Sequence, residues 1–338
     1  MHLSLVIPVY NASESVGPLV ERIHGLFAGP DFDGDFEIVL VNDGSADDSE
    51  SVCAELVERR PETVRFLQLS RNFGEHSAVL AGLDAAHGDF VAVLDDDGQN
   101  PPEEVLRMLE HLERHGYDVV YGRYIERKHG WFRRLGSAFN DRMATLMLGK
   151  PKHIYFSSFK VMSRFVVDQI VRYRGPFPYI DGLIYRTTTN IGQIDVAHRE
   201  RVAGRSGYTL KKLVKLWLNM FLGFSIAPLR LTVLVGLATS LLSALALVVV
   251  IVDRLWFNPK IPHGTPTVLV FVSFLAGVQL MVVGMIGEYV GRIFLEQNGM
   301  PQYIVRYAKS GASPPAAPGG TEPRAHQLAI GTRETTDG

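Results

Sequence analysis

The chain has 338 residues, 46% of them hydrophobic and 21% charged, with one cysteine and a formal net charge of −2. That length holds one sizeable domain plus additions, and a mean hydropathy of +0.08 is high for a purely soluble protein. A lone cysteine excludes an intrachain disulfide, and the near-neutral charge argues neither for nor against a nucleic-acid partner, so partners have to be read from local clusters.

The first residues lack the charged region and long apolar stretch of a signal peptide and run straight into a β-rich segment at 3–9. Further β-rich segments fall at 36–41, 64–69, 90–94 and 118–121 with helical segments between them, which is the pattern of a parallel α/β sheet. Cys53 lies in one of those helical segments and reads as core rather than nucleophile. Polar loops stand at the carboxyl ends of the strands: Pro8-Val9-Tyr10-Asn11, Val41-Asn42-Asp43-Gly44-Ser45 and Ser70-Arg71-Asn72-Phe73-Gly74. Open α/β sheets bind ligands at that edge. No GxxxxGK[ST] loop occurs, which argues against a P-loop nucleotidase, and no GxGxxG fingerprint follows the first strand.

After the fourth strand the chain reads Asp95-Asp96-Asp97-Gly98-Gln99-Asn100-Pro101-Pro102-Glu103-Glu104. In an extended backbone Asp95, Asp97 and Gln99 project to one side and Asp96 to the other. Two carboxylates on one side suit a hard divalent ion, magnesium or manganese, which takes oxygen ligands and keeps positions open for substrate phosphates. A solvated loop that caps the following helix is the plainer reading, since short acidic motifs recur by chance.

Apolar positions Trp131, Leu135, Phe139 and Met143 recur at helical spacing among Arg133, Arg134 and Arg142, an amphipathic helix. Residues 208–224 repeat the arrangement, with Lys211, Lys215 and Asn219 beside Leu213, Trp217, Met220 and Phe221, as suits a helix in the bilayer interface. Residues 231–252 then carry no charge, about 33 Å as a helix against a hydrocarbon core of about 30 Å. Residues 267–287 are a second uncharged run, and Pro259, Pro262 and Pro266 interrupt the segment between the two. Lys211, Lys212, Lys215 and Arg230 before the first run, with Arg292, Arg306 and Lys309 after the second, outnumber Arg254 and Lys260 between them, which puts both ends in the cytoplasm. Beyond Lys309 the composition is that of a disordered tail.

The four loops, taken in order, resemble family 2 glycosyltransferases, whose α/β, Rossmann-like nucleotide-sugar domain is the GT-A fold. The two apolar runs, the second closed by Gly287-Glu288-Tyr289-Val290-Gly291-Arg292, narrow the resemblance to polyprenyl-phosphate glycosyltransferases related to dolichol-phosphate mannose synthase and undecaprenyl-phosphate sugar transferases, over residues 3–308. The resemblance implies inverting transfer of a sugar from a nucleotide-sugar donor to the phosphate of a membrane polyprenol. It implies that Pro8, Tyr10 and Asp43 hold the base and ribose with Glu14 nearby, and that Arg71 meets the donor. Asp95, Asp97 and Gln99 would organise Mg2+ or Mn2+ on the diphosphate, with Asp97 catalytic. Arg123, Arg127, Arg201, Arg205 and Ser206 are the candidates for the acceptor phosphate, Arg205 and Ser206 first, and any of these arginines can equally face lipid head groups.

The implied organisation is a cytosolic GT-A domain over 1–206, an interfacial helix over 207–228, a two-helix anchor over 229–295 and a cytosolic tail over 296–338, disordered after about 310. It makes the protein a multi-pass inner-membrane enzyme with no nucleic-acid partner, and homo-oligomers are compatible with its exposed helical faces. One departure stands out: some relatives carry an acidic residue, proposed as catalytic base, where this chain has Ser157-Ser158 before Phe159-Lys160-Val161-Met162. An ionised phosphate oxygen has no proton to lose before it attacks carbon, so a base is dispensable. Asp181 is by resemblance the remaining acceptor-side carboxylate and the second catalytic candidate, or else a helix-start cap. The rival readings are a processive polysaccharide synthase, which should carry Gln-x-x-Arg-Trp and more spans, and a degenerate nucleotide-sugar-binding membrane protein.

Overall fold

The computed structural model describes residues 1–30, 32–124, 154–175, 178–197, 227–252, 256, 265–297 and 301–311. Four strands arise where the β-rich segments predict them: β1 (His2–Val9), β2 (Asp35–Asn42), β3 (Val64–Leu69) and β4 (Phe90–Val93). They pair in parallel, β4 to β1, β1 to β2 and β2 to β3. Apolar residues fill both faces of the central β1, as expected of a strand covered by helices on each side.

The fifth expected strand is β5 (Val119–Tyr124), but it does not join β4. A short strand, β6 (Lys160–Ser163), lies antiparallel between them, and β7 (Ile191–Val196) runs parallel to β5 at the outer edge. At the opposite edge β8 (Val305–Ser310) pairs antiparallel with β3. The sheet therefore has eight strands in the order β7-β5-β6-β4-β1-β2-β3-β8, and the expectation of a purely parallel sheet is corrected to a mixed one.

One face of the sheet is covered by α1 (Val16–Phe27), α2 (Ser49–Arg59) and α4 (Glu103–His115), whose apolar stripes enter a core with Leu5, Ile7, Leu40 and Phe66. The other is covered by α3 (Glu75–Ala85), α5 (Arg164–Ile170) and α6 (Ile180–Thr187), around Val6, Val41 and Tyr121. Cys53 is buried in α2, and burial pushes its thiol up to about 12, so it is a core residue.

Two long helices follow, α7 (Ala227–Val252) and α8 (Thr265–Gln297), at the positions of the two uncharged runs. Among the described residues one stretch, Phe274–Gly291 in α8, is long and apolar enough to cross a membrane. α7 nonetheless exposes Val233, Leu237, Leu241, Leu245 and Val249 along its length. The amphipathic segments at 131–148 and 208–224, and the tail beyond 311, lie outside the described residues.

Candidate active site

The carboxyl ends of β1, β2, β3 and β4 deliver their loops to one edge of the sheet, and side-chain to backbone bonds tie each loop to the next. At the end of β1, Asn11 has a positive φ of 52°. Its N–H donates to Ser45 Oγ at 2.9 Å, and its Oδ1 accepts from Ala46 N–H at 2.8 Å. Asn42, at the end of β2, accepts from Ser45 N–H at 3.2 Å and donates to Gln68 Oε1 at 2.8 Å. Asp43 is buried and uses both oxygens on the third loop, accepting from Phe73 N–H at 2.7 Å and Gly74 N–H at 2.8 Å. Burial raises its carboxyl above the ordinary range, while these two bonds pull the other way.

Gly44 shows why the second loop has the sequence it has. Its φ of +63° is left-handed, and a Cβ there would stand 2.6 Å from the Arg71 carbonyl carbon and the Asn72 nitrogen. The Asn-Asp-Gly run is thus more than a turn, because its backbone lies against the Arg71 loop. Arg71 itself is exposed, its guanidinium 4.6 Å from the centre of the Phe73 ring. Pro8 is half-buried at the end of β1, and Tyr10 and Glu14 are exposed beyond it.

The acidic loop departs from the extended geometry expected of it. β4 ends at Val93, Asp96 and Asp97 lie in a turn, and Gly98 takes a φ of 72°. Strict alternation of side chains therefore does not apply. Asp95 Oδ2 accepts from the Ser158 hydroxyl at 2.7 Å, Asp96 Oδ2 accepts from Tyr10 N–H at 2.9 Å, and Asp97 Oδ1 accepts from Gln99 N–H at 3.0 Å. Asp96 becomes the clasp between the first and fourth loops. Burial, then the charges of Glu75 and Asp97, push Asp95 up to about 6. Burial, then the charges of Asp95, Asp97 and Glu75 against the Tyr10 bond, push Asp96 up to about 7. Crowded, desolvated carboxylates of this kind are relieved by a cation, and an all-oxygen set suits a hard divalent one. Among the described residues no group of three or more His, Cys, Asp or Glu is placed to hold a metal ion by itself.

Beside the end of β4, where Val93 is opposite Lys160, is a buried polar cluster that no sequence pattern announces. Lys160, the first residue of β6, is only 3% exposed, and Asp181, in the first turn of α6, 8%. The Lys160 ammonium pairs with Asp181 Oδ1, which also accepts from the Tyr121 hydroxyl at 3.0 Å. Asp181 makes no capping bond; Tyr179 occupies the cap position. His76 joins the cluster from α3, its ring edge-on to Tyr179 at 5.2 Å. Of the basic candidates, Arg123 is on β5 with its Nε 2.5 Å from Asp195 Oδ1, an exposed pair. Arg127, Arg201, Arg205 and Ser206 lie outside the described residues.

A mixed α/β sheet with ligand loops at one carboxyl edge and a carboxylate-rich loop among them is a GT-A-like fold, the architecture of sugar-transferring enzymes. Residues 4–171 match the model of glycosyl transferase family 2. The chain is 34% identical over 305 residues to the undecaprenyl-phosphate 4-deoxy-4-formamido-L-arabinose transferase of Proteus mirabilis, covering 90% of this chain and 93% of the relative. A transferase of the same description from Pectobacterium atrosepticum is 34% identical over 314 residues, covering 93% and 95%. Among solved structures, glucosyl-3-phosphoglycerate synthase from Mycobacterium tuberculosis in complex with phosphoglyceric acid is 19% identical, with a TM-score of 0.49 over 66% of this chain and 80% of that one. The chain belongs to glycosyl transferase family 2.

Proposed function

We propose that the protein transfers a sugar from a nucleotide-sugar donor to the phosphate of a membrane polyprenol, undecaprenyl phosphate or a close analogue, with inversion at the anomeric carbon. The observation that carries this reading is the acidic loop, held by Tyr10 and Ser158 beside the Asp43 and Arg71 loops, in a chain similar over nine tenths of its length to undecaprenyl-phosphate sugar transferases. Pro8, Tyr10, Glu14 and Asp43 take the nucleoside, and Arg71 meets the diphosphate. Asp95, Asp97 and Gln99 would hold Mg2+ or Mn2+, which when bound offsets charge on the leaving diphosphate.

Arg123, Arg127, Arg201, Arg205 and Ser206 hold the acceptor phosphate, whose ionised oxygen is the nucleophile and needs no base. Asp181, the second catalytic candidate, is engaged with Lys160, and its role in this reading is to position that lysine beside the end of β4. Two spans, 231–252 and 267–287, anchor the enzyme in the cell membrane with the catalytic domain on the cytoplasmic side. The domain division of 1–206, 207–228, 229–295 and 296–338 belongs to the same reading, as does self-association through the helices.

The test is transfer from radiolabelled UDP-, GDP- and dTDP-sugars to undecaprenyl phosphate in detergent, with manganese, magnesium or chelator. Chloroform-soluble label that disappears with chelator is the expected result and names the donor. Nucleotide binding without product from any of these donors would favour a binding protein or a donor that carries an unusual modified sugar.

A further inference from the structure

The segment that follows α8 was expected to be a tail, yet residues 301–311 run back along the catalytic sheet. β8 enters at the site edge of β3, where Val305 is opposite Leu69, and leaves at the far end, where Ser310 is opposite Arg65. Its entry is the most heavily bonded part. Gln302 Nε2 donates to the carbonyls of Tyr173 at 2.7 Å and Gly175 at 2.8 Å. The Tyr303 hydroxyl donates to Asp84 at 2.7 Å on the last turn of α3, and the Tyr307 hydroxyl donates to Glu50 at 2.7 Å on α2.

Between these anchors the Ile304 carbonyl accepts from Ser70 N–H at 2.8 Å. Ser70 opens the Arg71 loop, the same loop whose far end Asp43 clamps through Phe73 and Gly74. The pairing also shifts register between Gln68 and Leu69, a bulge at the point where strand becomes loop. Gln68 in turn holds Asn42 at 2.8 Å, and Asn42 holds Ser45. Both donor-side loops are therefore tied to this segment, one directly and one through Gln68.

We propose that residues 302–304 are a positioning element for the donor site, which sets the Arg71 loop through the Ile304–Ser70 bond and links donor binding to the apolar helix immediately before it. Gln297, the last residue of α8, is four peptide steps from Pro301, and four steps reach at most about 15 Å. The end of the long apolar helix is thus confined to the neighbourhood of the Arg71 loop. The two ends of that loop are fixed by different parts of the chain, the Asp43 end by the sheet interior and the Ser70 end by the segment after α8. This rests on the transferase reading, with the nucleotide diphosphate as the ligand positioned.

The experiment compares the full-length protein with Gln302→Ala/Tyr303→Phe and with Lys309→Ala, which touches only the remote end of β8 through Glu58. UDP, GDP and dTDP with manganese are titrated by calorimetry, and amide exchange is followed at Ser70 and through 71–74. The double variant should bind the nucleotide about tenfold more weakly, lose protection at Ser70 while β1 and β2 keep theirs, and leave the KM for undecaprenyl phosphate unchanged. Lys309→Ala should match the wild type in all three. If the double variant fails to fold, Gln302→Ala alone carries the comparison. Nucleotide affinity that is unchanged in the variant overturns this inference alone, as does an equal loss of donor and acceptor use with a general loss of protection. A wild-type protein that binds none of the three nucleotides overturns the transferase reading and this inference with it.

Discussion

The Ser158 hydroxyl donates to Asp95 Oδ2 at 2.7 Å across 63 residues of chain, so this serine bonds directly to the proposed metal site. A partner of this kind orients a ligand carboxylate, and losing one typically costs 10–100-fold in metal affinity. Ser158→Ala is accordingly expected to weaken manganese binding by about tenfold or more, read as the manganese concentration for half-maximal transfer. Thermal stability should move little, since the residue is half-buried and loses a single bond. An unchanged manganese requirement would mean that Asp95 is not a ligand.

Asp97 is more buried than Asp95 or Asp96 and already fixes the turn through Gln99 N–H. Asp97→Ala should abolish transfer, and Asp97→Asn, which keeps the turn acceptor but removes the charge, should fall by about 10³-fold or more if charge on the diphosphate is what the site neutralises. Normal metal-dependent turnover by either variant would remove the central claim. On the acceptor side, Arg205→Ala should raise the KM for undecaprenyl phosphate and leave nucleotide affinity alone; a fall in nucleotide affinity only would place Arg205 on the donor side.

The first four strands and their loops were legible because each combines β-branched runs with Asn, Asp, Gly or Pro just beyond. β6 was not, since four residues that begin with a buried lysine carry no apolar run, and its insertion between β4 and β5 is a tertiary choice. β8 alternates half-buried Val305 and Tyr307 with exposed Arg306 and Ala308, but only its pairing with β3 distinguishes it from a charged tail. In the site, residue types were legible and directions were not. A pleat sets Asp96 opposite Asp95 and Asp97; the loop instead turns at Asp96 and Asp97, and Asp96 bonds Tyr10 N–H from within that turn. The Asp181 environment depends on Lys160 and Tyr121, which no local spacing links to it.

That environment separates two roles for Asp181. Removing one member of a buried ion pair leaves the other uncompensated, at a cost of about 3–5 kcal/mol, whereas replacing the whole group with apolar residues is often close to neutral. Lys160→Met and Asp181→Asn should each be strongly destabilised in urea, and Lys160→Met/Asp181→Leu/Tyr121→Phe should recover much of the loss. Transfer by the triple variant within about tenfold of wild type would fit a positioning role. A loss of 10³-fold or more at normal stability would identify Asp181 as a proton acceptor, since general base catalysis contributes 10²–10⁴-fold.

His76 gives the pH dependence of the same cluster. Burial lowers its imidazole from the ordinary 6.5 to about 4, with Asp181 acting to raise it and Lys160 to lower it further. Tyr179 and Tyr121 supply the remaining polar contacts of the cluster, and both stay neutral in this range because burial raises them. A histidine whose folded pKa is depressed stabilises the fold above its unfolded value and loses that contribution as pH falls toward the folded value. Between pH 6.5 and about 4 the unfolded chain takes up a proton that the folded one refuses, so stability should fall by up to about 1.4 kcal/mol per pH unit from this group. Carboxylates titrate in the lower part of that window, so the informative quantity is the difference between wild type and His76→Gln, which carries no titrating group at that position. Urea midpoints from pH 7 to 4.5 should show a shallower decline in His76→Gln, with the divergence opening already between pH 6.5 and 5.5. Parallel declines would mean that the folded imidazole takes up its proton as readily as the unfolded one.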